Sequence, residues 1–396
     1  MKKIVCALLA MLISAAAFAQ DATPEMLKKK ELFEKTDLFE PQSIFTDKAA
    51  NAALIQAYEA DKAAYKPTQL LPIAVCYLSF GDLVKSKELF EIFLKASPKN
   101  IRAIRTLGTI SLLSKDNDKA VDYYKQAIML GDERSVVFLG SAYIMAQKPD
   151  GIKSYLEPLK KQAKENLEAF NVLMLYAMRD RENPDKDLMK SAISGMDARK
   201  IILSATPDGF STVIRIYLAS RDLWTPSALV VPARAAALME TWLLARDCYR
   251  KALAADPNDK LALRGMGLVE YRTGDVLSAA HYIKSAYDKG EKDAATDGIE
   301  LFLLSNRTDV WDMFKPMVKD ATLSPQIRAG LVQYAANNGG QPDMFYTAAV
   351  GPEAELLYKD ANVLALLKTG VEKYASDKRS AEVVKLIQAA EKNGKK

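Results

Sequence analysis

Histidine is almost absent from the sequence, and its scarcity excludes several classes of enzyme. The 396 residues contain one histidine, His281, so a histidine zinc site, a Ser-His-Asp triad or a Cys-His pair has one candidate base at most. No catalytic signature surrounds His281, and the HExxH motif of zinc peptidases is missing. We expect His281 to be a surface residue, and we predict no catalytic residues and no metal site.

Nucleotide-binding loops and a strong charge of one sign are missing as well. Neither G-x-x-x-x-G-K-[ST] nor G-x-G-x-x-G occurs, so no cofactor is expected. Lys2 and Lys3 belong to an N-terminal segment that we expect to be removed, and without them 53 basic residues stand against 50 acidic ones. This balance favours neither nucleic acid nor an acidic membrane surface as a partner. Beyond the N terminus, no run of about 18 uninterrupted apolar residues predicts a membrane span.

The N-terminal segment that ends at Ala19 has the layout of an export signal. Two lysines precede an apolar core, and Ala17-Phe18-Ala19 forms the small-x-small cleavage pattern. We expect cleavage after Ala19 and a periplasmic protein, with secretion from the cell or an uncleaved anchor as alternatives. Two of the 3 cysteines, Cys76 and Cys248, then remain. Both fall in helical patterns, where a cysteine is most often a small buried apolar residue.

Two pairs of segments repeat at one and the same offset in residue number. In the first pair, the related positions are Ser86, Phe90 and Phe93, followed by Ala120, Tyr124 and Ala127. In the second pair, they are Ala245, Tyr249 and Ala252, followed by Ala279, Ile283 and Ala286. Within these segments apolar residues recur at spacings of three and four, which predicts helices with one buried face.

The residues and the period of this repeat, about 34 residues, are similar to those of the tetratricopeptide repeat (TPR) family. Leu107-Gly108 stands in the first helix, and Ala120, Tyr124 and Ala127 stand in the second. The later repeat has Met266, Gly267, Gly274, Ala279, Ile283 and Ala286 at the family positions. The resemblance implies an all-α fold, a right-handed α-solenoid of helix-turn-helix TPR and degenerate TPR-like repeats. Gly108 and Ala120 are then expected where two helices meet, and Ala127 where the next repeat packs.

Short turns join the two helices of each predicted repeat. In FGDL and TGDV, Gly81 and Gly274 are expected to take the left-handed conformation that ends a helix. Asp82 and Asp275 are expected to cap the helices that follow. In the repeat between them, Asp116 supplies the same cap.

The repeat pattern divides the chain into six predicted segments. They are residues 1–19, a signal peptide; 20–66, an N-terminal helical extension; 67–160, a first TPR block; 161–225, degenerate helical repeats; 226–290, a second TPR block; and 291–396, C-terminal helical repeats and a cap. The third repeat begins with Leu139 and Gly140, which come two positions sooner after Leu107 and Gly108 than the period requires. Its second helix is predicted to be degenerate.

The resemblance also implies a binding surface, since the first helix of each TPR lines the concave face of the array. In the first repeat the outward positions are then Leu71, Val75 and Leu78. In the two other clear repeats the outward positions are the candidate protein-binding residues, namely Arg102, Arg105, Thr109, Leu112, Arg264, Leu268, Tyr271 and Arg272. Arginine pairs with carboxylates, whereas tyrosine and leucine anchor apolar groups. Thr109 and Leu268 stand where the carboxylate-clamp subclass has asparagine, which weakens an expectation of C-terminal carboxylate recognition.

These observations favour a non-catalytic, exported scaffold or adaptor that binds another protein in a cell-envelope assembly. An alternative is an enzyme of envelope polymers, such as a glycan hydrolase, with acidic residues in 165–225 or 291–396, because paired carboxylates need no local motif. A second alternative is a self-assembling structural subunit, whose groove binds another copy of the chain.

Overall fold

A computed structural model describes residues 48–338, 341–350 and 354–393 of the chain. Across these residues the secondary structure is helical, with no strand. The predicted signal peptide and residues 20–47 of the predicted extension lie outside the described residues. The chain forms two compact units, which meet in sequence between Trp224 and Thr225. The six segments predicted from the sequence include a boundary after residue 225, and their finer division stays a prediction.

The first unit is a series of helices that pack in sequence order. Its α-helices are α1 Lys48–Ala60, α2 Leu70–Ser79, α3 Leu83–Ala96, α4 Ile101–Leu113, α5 Asn117–Met129, α6 Ser135–Met145, α7 Leu156–Ala163, α8 Leu167–Ala177, α9 Lys186–Gly195, α10 Ala198–Leu203 and α11 Pro207–Ala219. Short 3₁₀ segments cover Lys62–Ala64, Pro67–Gln69, Pro149–Tyr155 and Arg221–Leu223. The segment Pro149–Tyr155 stands where the third repeat was predicted to be degenerate, and it replaces the start of a second α-helix.

The second unit repeats this arrangement. Its α-helices are α12 Val230–Leu238, α13 Trp242–Ala255, α14 Lys260–Arg272, α15 Val276–Asp288, α16 Ala294–Ser305, α17 Thr308–Phe314, α18 Pro325–Asn338, α19 Pro342–Ala349, α20 Ala361–Lys373 and α21 Ser380–Asn393. Segments of 3₁₀ helix cover Pro226–Leu229, Lys315–Asp320 and Ala354–Lys359. In both units the two helices of a hairpin pack together, and the second helix packs on the first helix of the next hairpin.

A residue with positive φ ends the first helix in several of these hairpins. Gly81 (φ 80°) and Gly274 (φ 96°) do so as predicted, and Asp82 and Asp275 accept hydrogen bonds from backbone amides one turn later, at 3.0 and 2.9 Å. Left-handed residues other than glycine end four other first helices, at Lys115, Gln147, Glu240 and Asn306. The hairpin geometry is therefore kept at turns where the sequence carries no glycine.

These turns reveal a correspondence between the two units at a constant difference in residue number. Gly81 corresponds to Glu240, Lys115 to Gly274, Gly131 to Gly290 and Gln147 to Asn306, all with positive φ. In both units the interval from the second hairpin turn to the third is two residues shorter than the interval from the first turn to the second. Residues 81–147 and 240–306 are thus equivalent runs of hairpins.

Small residues permit close approach inside the hairpins, as the repeat pattern predicted. A Cβ on Gly108 would lie 2.7 Å from Cε1 of Tyr124, and one on the equivalent Gly267 would lie 2.6 Å from Cγ1 of Ile283. Ala120 and Ala127 are fully buried. Because a ring or branched side chain fills the space above the glycine, this contact fixes the separation of α4 from α5 and of α14 from α15.

Both remaining cysteines are buried within their own helices. Cys76 lies in α2, and its thiol donates to Oδ1 of Asn51 at 3.5 Å, whereas Cys248 lies in α13. Their burial agrees with the prediction that they serve as small packing residues. None of the described helices is long and apolar enough to cross a membrane.

Candidate protein-binding surface

A buried ion pair links two neighbouring hairpins of the first unit. Arg105 lies on α4, the first helix of its hairpin, and its Nη1 is 2.9 Å from Oδ2 of Asp132. Asp132 follows α5 and also accepts a hydrogen bond from the hydroxyl of Ser135, at 2.7 Å. The side chain of Arg105 is 4% exposed and that of Asp132 is 10% exposed. Arg105 thus connects its hairpin to the start of α6.

The second unit contains the equivalent arginine at the equivalent place. Arg264 lies on α14 and corresponds to Arg105, and its Nη1 is 3.7 Å from Oε1 of Glu291, which corresponds to Asp132. Arg264 also contacts two further carboxylates, those of Asp293 at 3.2 Å and Asp297 at 2.9 Å from Nη2. Burial opposes the charge of Arg264, but the hydrogen bonds and charges of these carboxylates outweigh it and raise the pKa of the guanidinium.

The surroundings of the two arginines carry opposite charge. In the first unit, Arg102 lies one turn before Arg105, and Arg134 occupies the N-cap of α6. The positions equivalent to Arg102 and Arg134 in the second unit are held by Leu261 and Asp293. Arg105 therefore lies near two more arginines and one carboxylate, whereas Arg264 is in contact with three carboxylates.

Arg102 lies close to the two other arginines of the first unit, Arg105 and Arg134. Its side chain is half-buried, and burial together with the charges of Arg105 and Arg134 lowers the pKa of its guanidinium. Across the described ranges neither Arg102 nor Arg134 forms an ion pair, while Arg134 is exposed. We call Arg102, Arg105 and Arg134 the arginine cluster.

The candidate residues of the first unit differ in how far they reach the surface. Arg102 is partly exposed, but Arg105, Thr109 and Leu112 are buried, with 4%, 1% and 3% of their surface exposed. This corrects the expectation that all four point outward. Thr109 lies inside the hairpin, its hydroxyl 2.7 Å from that of Tyr124. Leu71, Val75 and Leu78, also expected outward, are buried in the core of the first unit. A binding role for Arg105, Thr109 and Leu112 stays a prediction.

In the second unit the candidate residues lie along the surface of α14. Leu268 and Tyr271 are half-buried, and Arg272 is exposed with its guanidinium 5.9 Å from the ring centre of Tyr271. Arg264 is 34% exposed. The structure therefore places two arginines, a leucine and a tyrosine on one helix, each with some access to solvent. Their role in binding stays a prediction.

Sequence reasoning missed Asp132, Glu291, Asp293, Asp297 and Arg134, which set the charge around the two arginines. One signal could have found the first two, because Arg105 precedes Asp132 by the same spacing that separates Arg264 from Glu291. A spacing shared by two repeats predicts the same contact in both.

Two acid–base side chains, His281 and Glu168, lie outside this surface. His281 is exposed on α15, as expected. The described ranges contain no group of three His, Cys, Asp or Glu side chains arranged to hold a metal ion. Burial raises the pKa of Glu168, and Asp208 raises it further, but Glu168 accepts a 2.6 Å hydrogen bond from Thr206, the N-cap of α11. This contact ties α8 to α11.

Comparison with known proteins gives low similarities. No protein-family model and no curated protein matches the sequence. Among solved structures, the Cut9-Hcn1 hetero-tetramer of APC/C matches with 14% identity, a TM-score of 0.34, and coverage of 74% of this chain and 51% of that chain. Yeast Tom70 matches with 14% identity, a TM-score of 0.33, and coverage of 78% and 70%. YrrB, described as a TPR protein with an unusual peptide-binding site, matches with 12% identity, a TM-score of 0.22, and coverage of 61% and 93%. The match thus spans about half the length of the chain that it covers in the Cut9-Hcn1 structure.

The arrangement of the helices by itself defines the architecture of the chain. Antiparallel hairpins recur with the period of the sequence repeat, left-handed residues end their first helices, and Gly108 and Gly267 admit a large side chain from the second helix. These are the features that the TPR resemblance implied. The chain is an all-α protein built from antiparallel helix-turn-helix hairpins, which are similar to tetratricopeptide repeats.

Proposed function

We propose that the chain is an exported, non-catalytic scaffold that binds another protein in an assembly of the cell envelope. The observation that carries this proposal is the pair of equivalent first helices, α4 and α14. Each bears an arginine fixed between hairpins and, beside it, side chains with access to solvent, namely Arg102 on α4 and Tyr271 and Arg272 on α14. Arginine and tyrosine are among the residues that contribute most to protein interfaces.

Repeat architecture supports a binding role because each hairpin contacts mainly its neighbours. Stacked repeats therefore present an extended surface built from equivalent positions, and such surfaces are used to bind other chains. The ion pairs of Arg105 and Arg264 hold adjacent hairpins together, so the side chains around them keep fixed positions. A surface that is ordered before binding loses less conformational entropy when a partner docks.

Site-specific photo-crosslinking in cells tests the binding surface. A photoreactive residue would replace Arg102 or Arg272 on first helices, and the matched control would replace Arg250, which is exposed on the second helix α13. We expect one discrete crosslinked partner protein from positions 102 and 272 and none from position 250. Crosslinks from Arg250 alone, or from no position, would rule out the proposed surface.

Export is a separate part of the proposal, and it rests on the signal-like sequence that ends at Ala19. Fractionation of cells that express the full chain should place the protein in the periplasm. N-terminal sequencing of that protein should begin at Gln20. Recovery from the cytoplasm with Met1 or Lys2 at the N terminus would contradict it.

A further inference from the structure

The arginine cluster and its counterpart in the second unit occupy equivalent positions of the repeat but carry net charges of opposite sign. Arg105 and Arg264 are equivalent, and each pairs with an acidic residue at the same distance along the chain. Around Arg105 the cluster has three guanidinium groups and the single carboxylate of Asp132, an excess of two positive charges. Around Arg264, the carboxylates of Glu291, Asp293 and Asp297 give an excess of two negative charges.

Packing alone does not account for this difference, because one carboxylate suffices to hold Arg105 between its hairpins. Arg105 is fixed by Asp132, and the two added arginines bring like charge close to it, while neither of them forms an ion pair with an acid among the described residues. Like charges held near one another in a partly buried place cost free energy in the unliganded protein. A negatively charged ligand would remove that cost.

We propose that the arginine cluster binds a segment of a partner protein that carries clustered aspartate or glutamate side chains. The proposal rests on the scaffold function proposed above and names the chemistry that one of its surfaces recognises. Arg102 lies in the first turn of α4 and is half-buried, and Arg134 lies at the N-cap of α6 and is exposed, so both guanidinium groups can donate charge-assisted hydrogen bonds to carboxylates. Arg105 contributes positive charge from its buried position and keeps its ion pair with Asp132.

The second unit does not offer this site. The position of Arg134 is taken by Asp293, which is 62% exposed, and the position of Arg102 is taken by Leu261. A carboxylate that approached Arg264 would meet Asp293 and Asp297 first and be repelled. One acidic segment per chain is therefore expected.

Fluorescence anisotropy with the mature full-length chain tests the proposal directly. The probe is a labelled, C-terminally amidated peptide in which glutamate alternates with serine; a peptide of the same length with glutamine in place of glutamate is the reference. The amide removes the terminal carboxylate, so binding reports side-chain carboxylates. We expect one peptide bound per chain, no binding of the glutamine peptide, and affinity that falls as salt rises.

Substitutions locate the site. Arg102→Gln with Arg134→Gln should weaken binding of the glutamate peptide by about tenfold or more, since two charge-assisted contacts are lost. The control, Lys95→Gln with Lys153→Gln, removes the same charge from exposed lysines outside the cluster and should change affinity less than about twofold. If the double arginine variant does not fold, Arg134→Gln alone carries the test, because Arg134 is exposed.

The outcomes separate this proposal from the scaffold function. Equal loss in both double variants, or no peptide binding, would overturn the acidic-segment proposal; a crosslinked partner at position 272 would still leave the scaffold function standing. Binding that the arginine variant abolishes supports the proposal even if no partner is crosslinked in cells. Self-association at low salt, detected by sedimentation and abolished by Arg102→Gln with Arg134→Gln, would instead assign the cluster to a second copy of the chain and overturn the acidic-peptide assignment.

Discussion

The hydroxyl groups of Thr109 and Tyr124 lie 2.7 Å apart inside the hairpin of α4 and α5. The same tyrosine ring covers Gly108, so one side chain of α5 contacts two successive residues of α4. Burial raises the pKa of the Tyr124 phenol, which therefore stays protonated and able to donate. Thr109 belongs to the interior of the repeat, whereas Arg102 on the same helix reaches solvent.

Tyr124→Phe should lower the free energy of unfolding of the first unit by about 1 kcal/mol, because the hydrogen bond with Thr109 is lost in a buried place. Tyr123→Phe is the matched control, since Tyr123 is the adjacent residue of the same helix and is only half-buried. Chemical denaturation followed by circular dichroism measures both. Equal effects of the two substitutions would contradict the importance of the Thr109 contact.

Gly108→Leu should lower the melting temperature clearly, because even a Cβ at this position would meet the Tyr124 ring at 2.7 Å. Forcing extra carbon atoms into such a contact costs roughly 1–3 kcal/mol or more. Gly195→Leu is the control, because Gly195 ends α9, is exposed, and has no atom within 4 Å of a built Cβ. An unchanged melting temperature for Gly108→Leu would refute the assignment of this glycine to helix packing.

The sequence predicted the hairpins well because their signals are local. Apolar spacing in α5, the glycine at position 81 and the capping Asp82 all act within a few residues of each other. The left-handed conformations of Lys115 and Glu240 could not be read directly, because tertiary packing imposes them against the preference of the side chain.

The charge of the candidate surface could not be predicted in the same way. Arg105 and Arg264 occupy the same position of their repeats, so the repeat pattern of the sequence predicts the same surroundings for both. Their environments differ through residues at the start of the next hairpin, such as Arg134 and Asp293, which reach the arginines only once the hairpins stack. The burial of Thr109 likewise depends on the ring of Tyr124.

Lys115→Gly should stabilise the protein by about 1 kcal/mol. Lys115 has φ 62°, and left-handed backbone costs roughly 1–2 kcal/mol for a residue with a Cβ, partly offset by the greater freedom of glycine in the unfolded chain. Gly81→Lys, at the same place in the preceding hairpin, should destabilise by a similar amount, since Gly81 has φ 80°. The pair is measured by denaturant unfolding; changes of the same sign would exclude backbone strain as the cause.

Arg328 holds the C-terminal end of α19, and its loss should cost about 2–3 kcal/mol. Its Nη1 donates to the carbonyl oxygens of Thr347 and Ala348, each at 3.0 Å, and of Val350 at 3.1 Å. Arg328→Met removes these donors and leaves the carbonyl oxygens of Thr347, Ala348 and Val350 without these hydrogen bonds. Arg328→Lys keeps the charge but not the planar fork, and should recover part of the stability. Thermal unfolding that is the same for Arg328→Met and the wild type would contradict this role.

Glu59 should make the stability of the first unit depend on acid pH. Hydrogen bonds from Tyr77, Lys85 and Lys62 lower the pKa of this carboxyl to about 2, from an ordinary value of 4.5. The carboxylate joins α1 to α2 and α3, and Lys85 Nζ lies 2.9 Å from Oε1.

Because the pKa is lower in the folded chain than in the unfolded one, the stabilisation by Glu59 is fully present above pH 4.5. It is lost progressively as the pH falls towards about 2, where the folded carboxyl also takes up a proton. We therefore expect the wild type to melt at a higher temperature than Glu59→Gln near neutral pH, and the difference to shrink between these two values. Glu157→Gln is the control, since Glu157 is an exposed partner of Lys160 within one helix and exposed pairs of this kind contribute little. A difference between wild type and Glu59→Gln that stays constant down to about pH 2 would show that the contacts of Glu59 do not require its charge.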